Sequence, residues 1–312
     1  MANILLRSPY YEYHPRAGAS SAKLILQIEG VTRYTIIKDT PTQTVLFEIA
    51  ELAKDYLDIT FAGSYQAQKI NISGEIIFYD GVNATGSPVG RNINFTHVGF
   101  DGYWDYYNTS NTKSFCSGDG SCVMQDNTIM YVPEGTGGFI PVLSSGTIIY
   151  NAFTGTTTSV AVGSPATTIT IKRTDCSKYM PIKVTFVNKY GALQDIYFDK
   201  KHVETISTES KKYKNNNLST TGTYSKYAHQ YRTLIKTGRE RMTLNTGYID
   251  EGMNEAIKQL MFSEQVWMKM GSEYHPIDIA TNSLTLKTSV NDKLVNYTID
   301  VEHAHDHIDR VR

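Results

Sequence analysis

Four aromatic residues, Tyr103, Trp104, Tyr106 and Tyr107, interleave with Asp101 and Asp105 and form the stretch of the chain best suited to chemistry. Aromatic faces stack on sugar rings while carboxylates accept hydroxyl hydrogen bonds, so the cluster has the composition of a carbohydrate contact platform. Paired carboxylates also serve glycosidases as acid and base. Neither feature is specific, and the same residues suit a sandwich core or an intersubunit contact, which is the more ordinary use of such clusters.

His303, His305 and His307 recur at period two and continue the face of Val295, Tyr297, Ile299 and Val301. Three imidazoles in a row on one strand are candidate metal ligands, above all if symmetry brings several tails together. Glu302 and Asp306 have the opposite parity and would not complete the set. The simpler expectation is a strand that leaves its sheet near Glu302, with the histidines in solvent. Arg232, Lys236, Arg239 and Arg241, with Lys211, Lys212 and Lys214 upstream, make the one basic region. Facing the bore of a ring, it would ease the passage of DNA; a solvated face or salt bridges to a neighbour account for it without DNA.

Cys116 and Cys122 bracket Ser117-Gly118-Asp119-Gly120-Ser121, a loop that a disulfide can close in an oxidised particle, although two free thiols are the ordinary expectation. Cys176 makes the count odd, and no CxxC pair points to zinc. No G-x-S-x-G, P-loop, H-E-x-x-H or dinucleotide glycine pattern occurs. We therefore assign no catalytic or cofactor-binding residue, expect no cofactor, and expect a protein that is not an enzyme.

Length and charge bound what these residues can belong to. With 312 residues the chain can build two ordinary domains, each with a core. A net charge of −1 with interspersed signs argues against nucleic acid or an anionic membrane as the main partner. The 22 tyrosines, with abundant Thr, Ser, Asn and Gly, favour strands, turns and contact surfaces over helix bundles. Only Ile4, Leu5 and Leu6 run together before Arg7 and Pro9, so no signal peptide is expected, and no run has membrane-spanning length.

The hydrophobic pattern predicts an all-β chain of two sandwich-like domains. Residues 1–175 read as an immunoglobulin- or fibronectin-like sandwich: Leu24, Leu26 and Ile28 alternate, then Tyr34–Lys38, Val45–Ile49 and Ile70–Phe78 follow, with Gly74 marking a bulge or bend. Ile49, Leu52, Ala53, Tyr56 and Leu57 keep helical spacing. A Gly- and Ser-rich excursion spans about 96–146, and strands return at Cys122–Val132, Thr147–Phe153, Ser159–Val162 and Thr167–Arg173. Residues 176–312 form the second domain. Ile182, Val184 and Phe186 alternate with Lys183 and Thr185, and Gly191 turns the chain back through Leu193–Phe198. The tract Ser207–Tyr231 reads as a long polar loop, mobile or used in a contact. Met253, Ile257, Leu260 and Met261 then define one helix over 251–263, with Asp250 as its cap.

This order of hairpin, strands, "TGYIDEGMNEAIKQLMFSEQVW" and a closing pair ending in "LVNYTIDVEHA" resembles tail-hub and tail-tip (baseplate) structural proteins of tailed phages that infect Bacteroidota. "RSPYYEY", "AKLILQIEG", "RYTIIKD" and "VLFEIAELAKDYLD" extend the resemblance loosely to the start. It rests on hydrophobic positions and turns and transfers no functional residue. The resemblance implies a virion tail protein assembled in the host cytoplasm, in a ring of identical subunits, on the order of six or twelve copies. Neighbouring tail, connector or fibre proteins would be its other partners, with nucleic acid met only by passage through the ring and no membrane. A carbohydrate-binding adaptor or receptor-binding module, and a head–tail connector ring, are the alternatives.

Overall fold

A computed structural model describes residues 2–40, 43–105, 116, 120–175, 178–287 and 294–306. The fold is all-β, with two short α-helices, α1 (Ala50–Lys54) and α2 (Asn254–Phe262). Residues 2–100 build a five-stranded sheet ordered Ala2–Leu5, Ile93–Phe100, Ile70–Tyr79, Ser21–Ile28 and Val31–Asp39. The two-stranded pair Tyr11–Pro15 and Thr44–Glu48 is the other β layer of this unit. Leu24, Leu26, Ile28, Phe47, Ile72, Ile76 and Phe78 fill the core between them, at 0–2 % exposure. Each such side chain removed from water contributes about 1.5–3 kcal/mol before the entropy cost of ordering.

Gly74 marks no bulge. It sits in regular pairing with Leu26 on one side and Phe95 on the other, and a Cβ there would run into the Phe95 ring, so its role is to make room for an aromatic. The irregularity lies instead between Leu26 and Gln27, where the register with Val31–Asp39 shifts.

Residues 122–174 form a core of their own, and through Met124, Leu143 and Ile148 they also pack against Leu5, Val98 and Phe100 of that sandwich. Two three-stranded sheets, Thr147–Phe153, Gly138–Ser144 and Cys122–Val123 in one, Ser159–Val162, Thr167–Thr174 and Ile129–Pro133 in the other, enclose Met130, Val132, Ile140, Val142, Ile169 and Ile171. Tyr197 of the C-terminal sheet completes this cluster. The expected strand Cys122–Val132 is therefore two strands on different sheets.

The C-terminal sheet runs, edge to edge, Leu193–Phe198, Ile182–Val187, Val266–Met270, Glu273–Ile279, Thr298–His303, Tyr231–Asn245 and Val203–Lys214, all antiparallel. Its two edges are consecutive in the chain, joined by residues 199–202 alone. Six inter-strand spacings total about 29 Å, whereas that link reaches at most about 18 Å. The sheet must therefore curl, and one core holds Val184, Ile196, Leu244, Val266, Ile277, Ile299 and Val301 together with Ala256, Ile257 and Leu260 of α2.

The helix begins as the spacing predicts. The Asp250 carboxylate accepts from the Gly252 amide at 2.9 Å, capping the 3₁₀ turn Glu251–Met253 that leads into α2. Met253, Ile257 and Leu260 are buried; Met261 is only half-buried, because with Phe262 it lines an open groove beside the helix. Gly191, at φ +79, makes the turn between the first two strands, and a Cβ there would meet the Asp101 amide.

Candidate assembly interface

The tract Ser207–Tyr231 is a loop only in part: Ser207–Lys214 and Tyr231 belong to paired strands, and residues 215–230 connect them. Val203–Lys214 pairs with Tyr231–Asn245 over twelve register partners, from Val203 opposite Thr243 to Lys214 opposite Tyr231, with one bulge at Lys211/Lys212. Only Arg241–Asn245 of the second strand pairs onward, with Thr298–Glu302. Everything beyond that contact projects as a hairpin arm, which by strand geometry extends the paired part about 30 Å past the sheet. Polar composition concealed it, because an arm with solvent on both faces needs no apolar alternation.

The arm's tip is braced by its own hydrogen bonds. The Asn215 amide donates to Gln230 O at 2.7 Å, the Ser219 amide to Thr223 O at 2.8 Å, and the Asn217 side chain to Ala228 O at 3.2 Å. Gly222, at φ +77, closes the last turn. Along the arm, Ile206, Tyr213, Leu218, Tyr224, Tyr231 and Leu234 are all exposed, and Tyr227 reaches 84 %. Leu234 occupies the bulge and stands 66 % exposed. A group of large apolar side chains held out on a hydrogen-bonded hairpin is how a contact surface looks before its partner arrives.

The basic region divides at the base of this arm. Arg239 lies 3.1 Å from Asp306, and Arg241 lies 3.6 Å from Glu302, so these two are engaged within the chain. Lys211, Lys212, Lys214, Arg232 and Lys236 make no ion pair among the described residues.

The aromatic cluster turns inward where it is described. Tyr103 lies under the Arg7 guanidinium, 5.2 Å from ring centroid to Cζ, and meets Phe262 edge-on. Burial, helped by the Asp105 charge, pushes its hydroxyl up to about 12, and among the described residues that hydroxyl has no hydrogen-bond partner. Trp104 packs half-buried against the cluster of Leu5, Val98, Phe100 and Leu143. Asp101 is buried and its carboxyl raised by that burial, although Arg7 opposes the rise. Asp105 instead faces Lys189 at 3.6 Å and Lys258 at 3.9 Å. The two aspartates thus serve different partners, and Tyr106 and Tyr107 lie outside the described residues.

His303 ends its strand, with Nε2 at 4.0 Å from Glu240 and its ring 6.2 Å from His275. His305 is exposed beyond the strand end and His307 lies outside the described residues. Among the described residues no three His, Cys, Asp or Glu side chains stand together as a metal site. Cys116 and Cys122 are joined in a disulfide, with Cα atoms 6.1 Å apart, against the expectation of free thiols. Cys176 lies outside the described residues.

Two buried polar groups escaped the sequence reading because their members are far apart in the chain. In the first, the Tyr65 hydroxyl donates to Asp195 at 2.6 and 2.7 Å, Thr185 Oγ1 donates to the same carboxylate at 2.7 Å, and Lys183 Nζ lies 2.9 Å away. Burial and then the Asp195 charge push the Tyr65 hydroxyl far up, so it stays a neutral donor. Burial alone would lower the Lys183 ammonium, but Asp195 holds it above its ordinary value. Phe61, packed edge-on against Trp267 and Tyr274, completes a clamp that fastens the 59–65 connector to the C-terminal sheet.

In the second group, Glu12 is hydrogen-bonded to His97 and, at 2.8 Å, to His14. His97 Nδ1 accepts from the Ala2 amide at 3.2 Å, which assigns the proton to Nε2, facing Glu12. Burial would raise the Glu12 carboxyl, but the hydrogen bonds from His14 and His97 outweigh it and bring it down to about 2. Both groups hold strands together, and Lys183 of the first also lines an open pocket with Met180, Tyr197 and Lys269.

Among the described residues no helix is long and apolar enough to cross a membrane. No protein-family description, curated protein or solved structure matches this chain.

Proposed function

We propose that this protein is a non-enzymatic structural subunit that works in a ring of identical copies within a phage tail, at the hub or baseplate. The observation that carries the reading is the hairpin arm, a 12-residue edge strand exposed at every position and backed by Tyr231–Lys236, projecting from a body whose sheets are closed over their cores. Such an element adds nothing to its own fold's core, so its use lies in contact with another chain. The clamps at Asp195 and Glu12 fit the same purpose, because a subunit that transmits position must keep its own units fixed.

The glycan reading has less support. Tyr103 is engaged by Arg7 and Phe262, and Asp101 and Asp105 have separate cationic neighbours. Mass photometry of the purified protein and cryo-EM of intact particles test the proposal together. A discrete oligomer, or ring density that accommodates this fold, is expected; a chain absent from purified particles and monomeric in isolation would remove it.

A further inference from the structure

We propose that the hairpin arm docks on the acidic body of a second copy of this chain, with its free edge strand and its lysines making the contact. The inference rests on the assembly reading above and names the partner and the force. Residues 203–238 hold six basic side chains, Lys211, Lys212, Lys214, Lys226, Arg232 and Lys236, against two acidic ones, Glu204 and Glu209. That is a charge of +4 in a chain whose total is −1, so the remaining residues carry −5. The complementary charge is therefore on the same polypeptide, yet the arm points away from it. None of the six cations is ion-paired among the described residues.

Three features fit an opposite charge on another copy better than solvent. The outer side of Val203–Lys214 is the edge of the seven-stranded sheet, and among the described residues its outward amides and carbonyls have no ladder partner. Lysines along that edge deter pairing with strands of neutral or basic character and favour an acidic surface, which gives the contact its selectivity. The tip is already ordered by its own hydrogen bonds, so little conformational freedom is lost on docking. Exposed Tyr213, Tyr224, Tyr227, Tyr231 and Leu234 then supply the apolar contact that charge alone would not. Arm on body is a contact between two different patches, so repetition gives a closed ring or an open filament and not an isolated dimer. A phosphate polymer would satisfy the same cations, but the arm's cations belong to a chain that is otherwise acidic and would repel it.

The test is sedimentation of the full chain, wild type against Lys211→Glu/Lys212→Glu/Lys214→Glu, at low and high salt, with a duplex DNA probe in parallel. These side chains are exposed and make no internal ion pair, so circular dichroism and melting should match the wild type. Wild type should associate at low salt and dissociate as salt is raised, and the triple variant should associate at least roughly tenfold more weakly. Wild type and variant that associate equally well would overturn the arm as the docking surface and leave ring assembly standing. A wild-type chain that stays monomeric to about 50 µM would overturn self-docking. So would binding of the DNA probe by the wild-type monomer that the triple variant loses.

Discussion

Leu193–Phe198 and Val203–Lys214 are the two edges of one antiparallel sheet and are consecutive in the chain, yet all six residues of the first are buried and all twelve of the second are exposed. The first edge lies under the 122–174 unit, which meets it through Tyr197, and beside the connector that carries Tyr65 and Phe61. Nothing among the described residues covers the second. Edge strands in a single sheet are thus treated in opposite ways: one is sealed by the molecule itself, and the other is left with its backbone groups and lysines outward. Burial here is decided by what packs over a strand and not by where the strand lies in its sheet.

Truncating the sealed edge should therefore have the largest effect. Phe198→Ala, at a fully buried ring, is expected to cost about 3–5 kcal/mol of unfolding free energy, measured as a lowered urea midpoint; Ile206→Ala on the arm should stay within about 0.5 kcal/mol. Equal losses at the two sites would mean that the arm is folded against something in the monomer. Asp195→Ala would strand Lys183 as an unpaired buried cation and should cost on the order of 3 kcal/mol, whereas Asp195→Ala with Lys183→Met should recover much of it.

The cover over the sealed edge can also be loosened covalently. Cys122 lies on the short strand that pairs with Gly138–Ser144, and its bond to Cys116 closes a loop with a sequence separation of 6. Cys122→Ser should cost about 2 kcal/mol by loop entropy, read as a lower melting temperature that reductant no longer changes.

The smallest of these effects concerns the lid on the N-terminal sheet. Glu12 titrates near 2 in the folded chain against an ordinary 4.5, so its contribution is present above pH 4.5 and is lost as pH falls towards 2. Allowing for solvent screening, the effect is about 1–2 kcal/mol. Urea midpoints across that window should fall for wild type and flatten for Glu12→Gln. An unchanged slope in the variant would show that another carboxylate governs the acid limb.

Several elements could be written down from the residues alone. The alternation Ile182-Val184-Phe186, the turn at Gly191, the cap at Asp250 and the spacing Met253-Ile257-Leu260 each fix local geometry through short-range sterics and hydrogen bonding, and all are found in the fold. The candidate site was legible only as composition. The lysines and tyrosines of 207–231 were visible as a contact-prone tract, but pairing Lys211 with Ile235 across a hairpin requires a register that a strand wet on both faces does not encode.

Amino-acid order by itself determined that the chain is β-rich, where its strands alternate and where its single long-period helix begins, because those depend on neighbours within one or two turns. Tertiary structure alone decided which polar faces are buried. Thr185 looks like a solvent face and is fully buried against Asp195, while Ile206 and Leu234 look like core and stand in solvent. The physical reason is that hydration depends on what crosses from distant sequence to exclude water, and no local pattern carries that information.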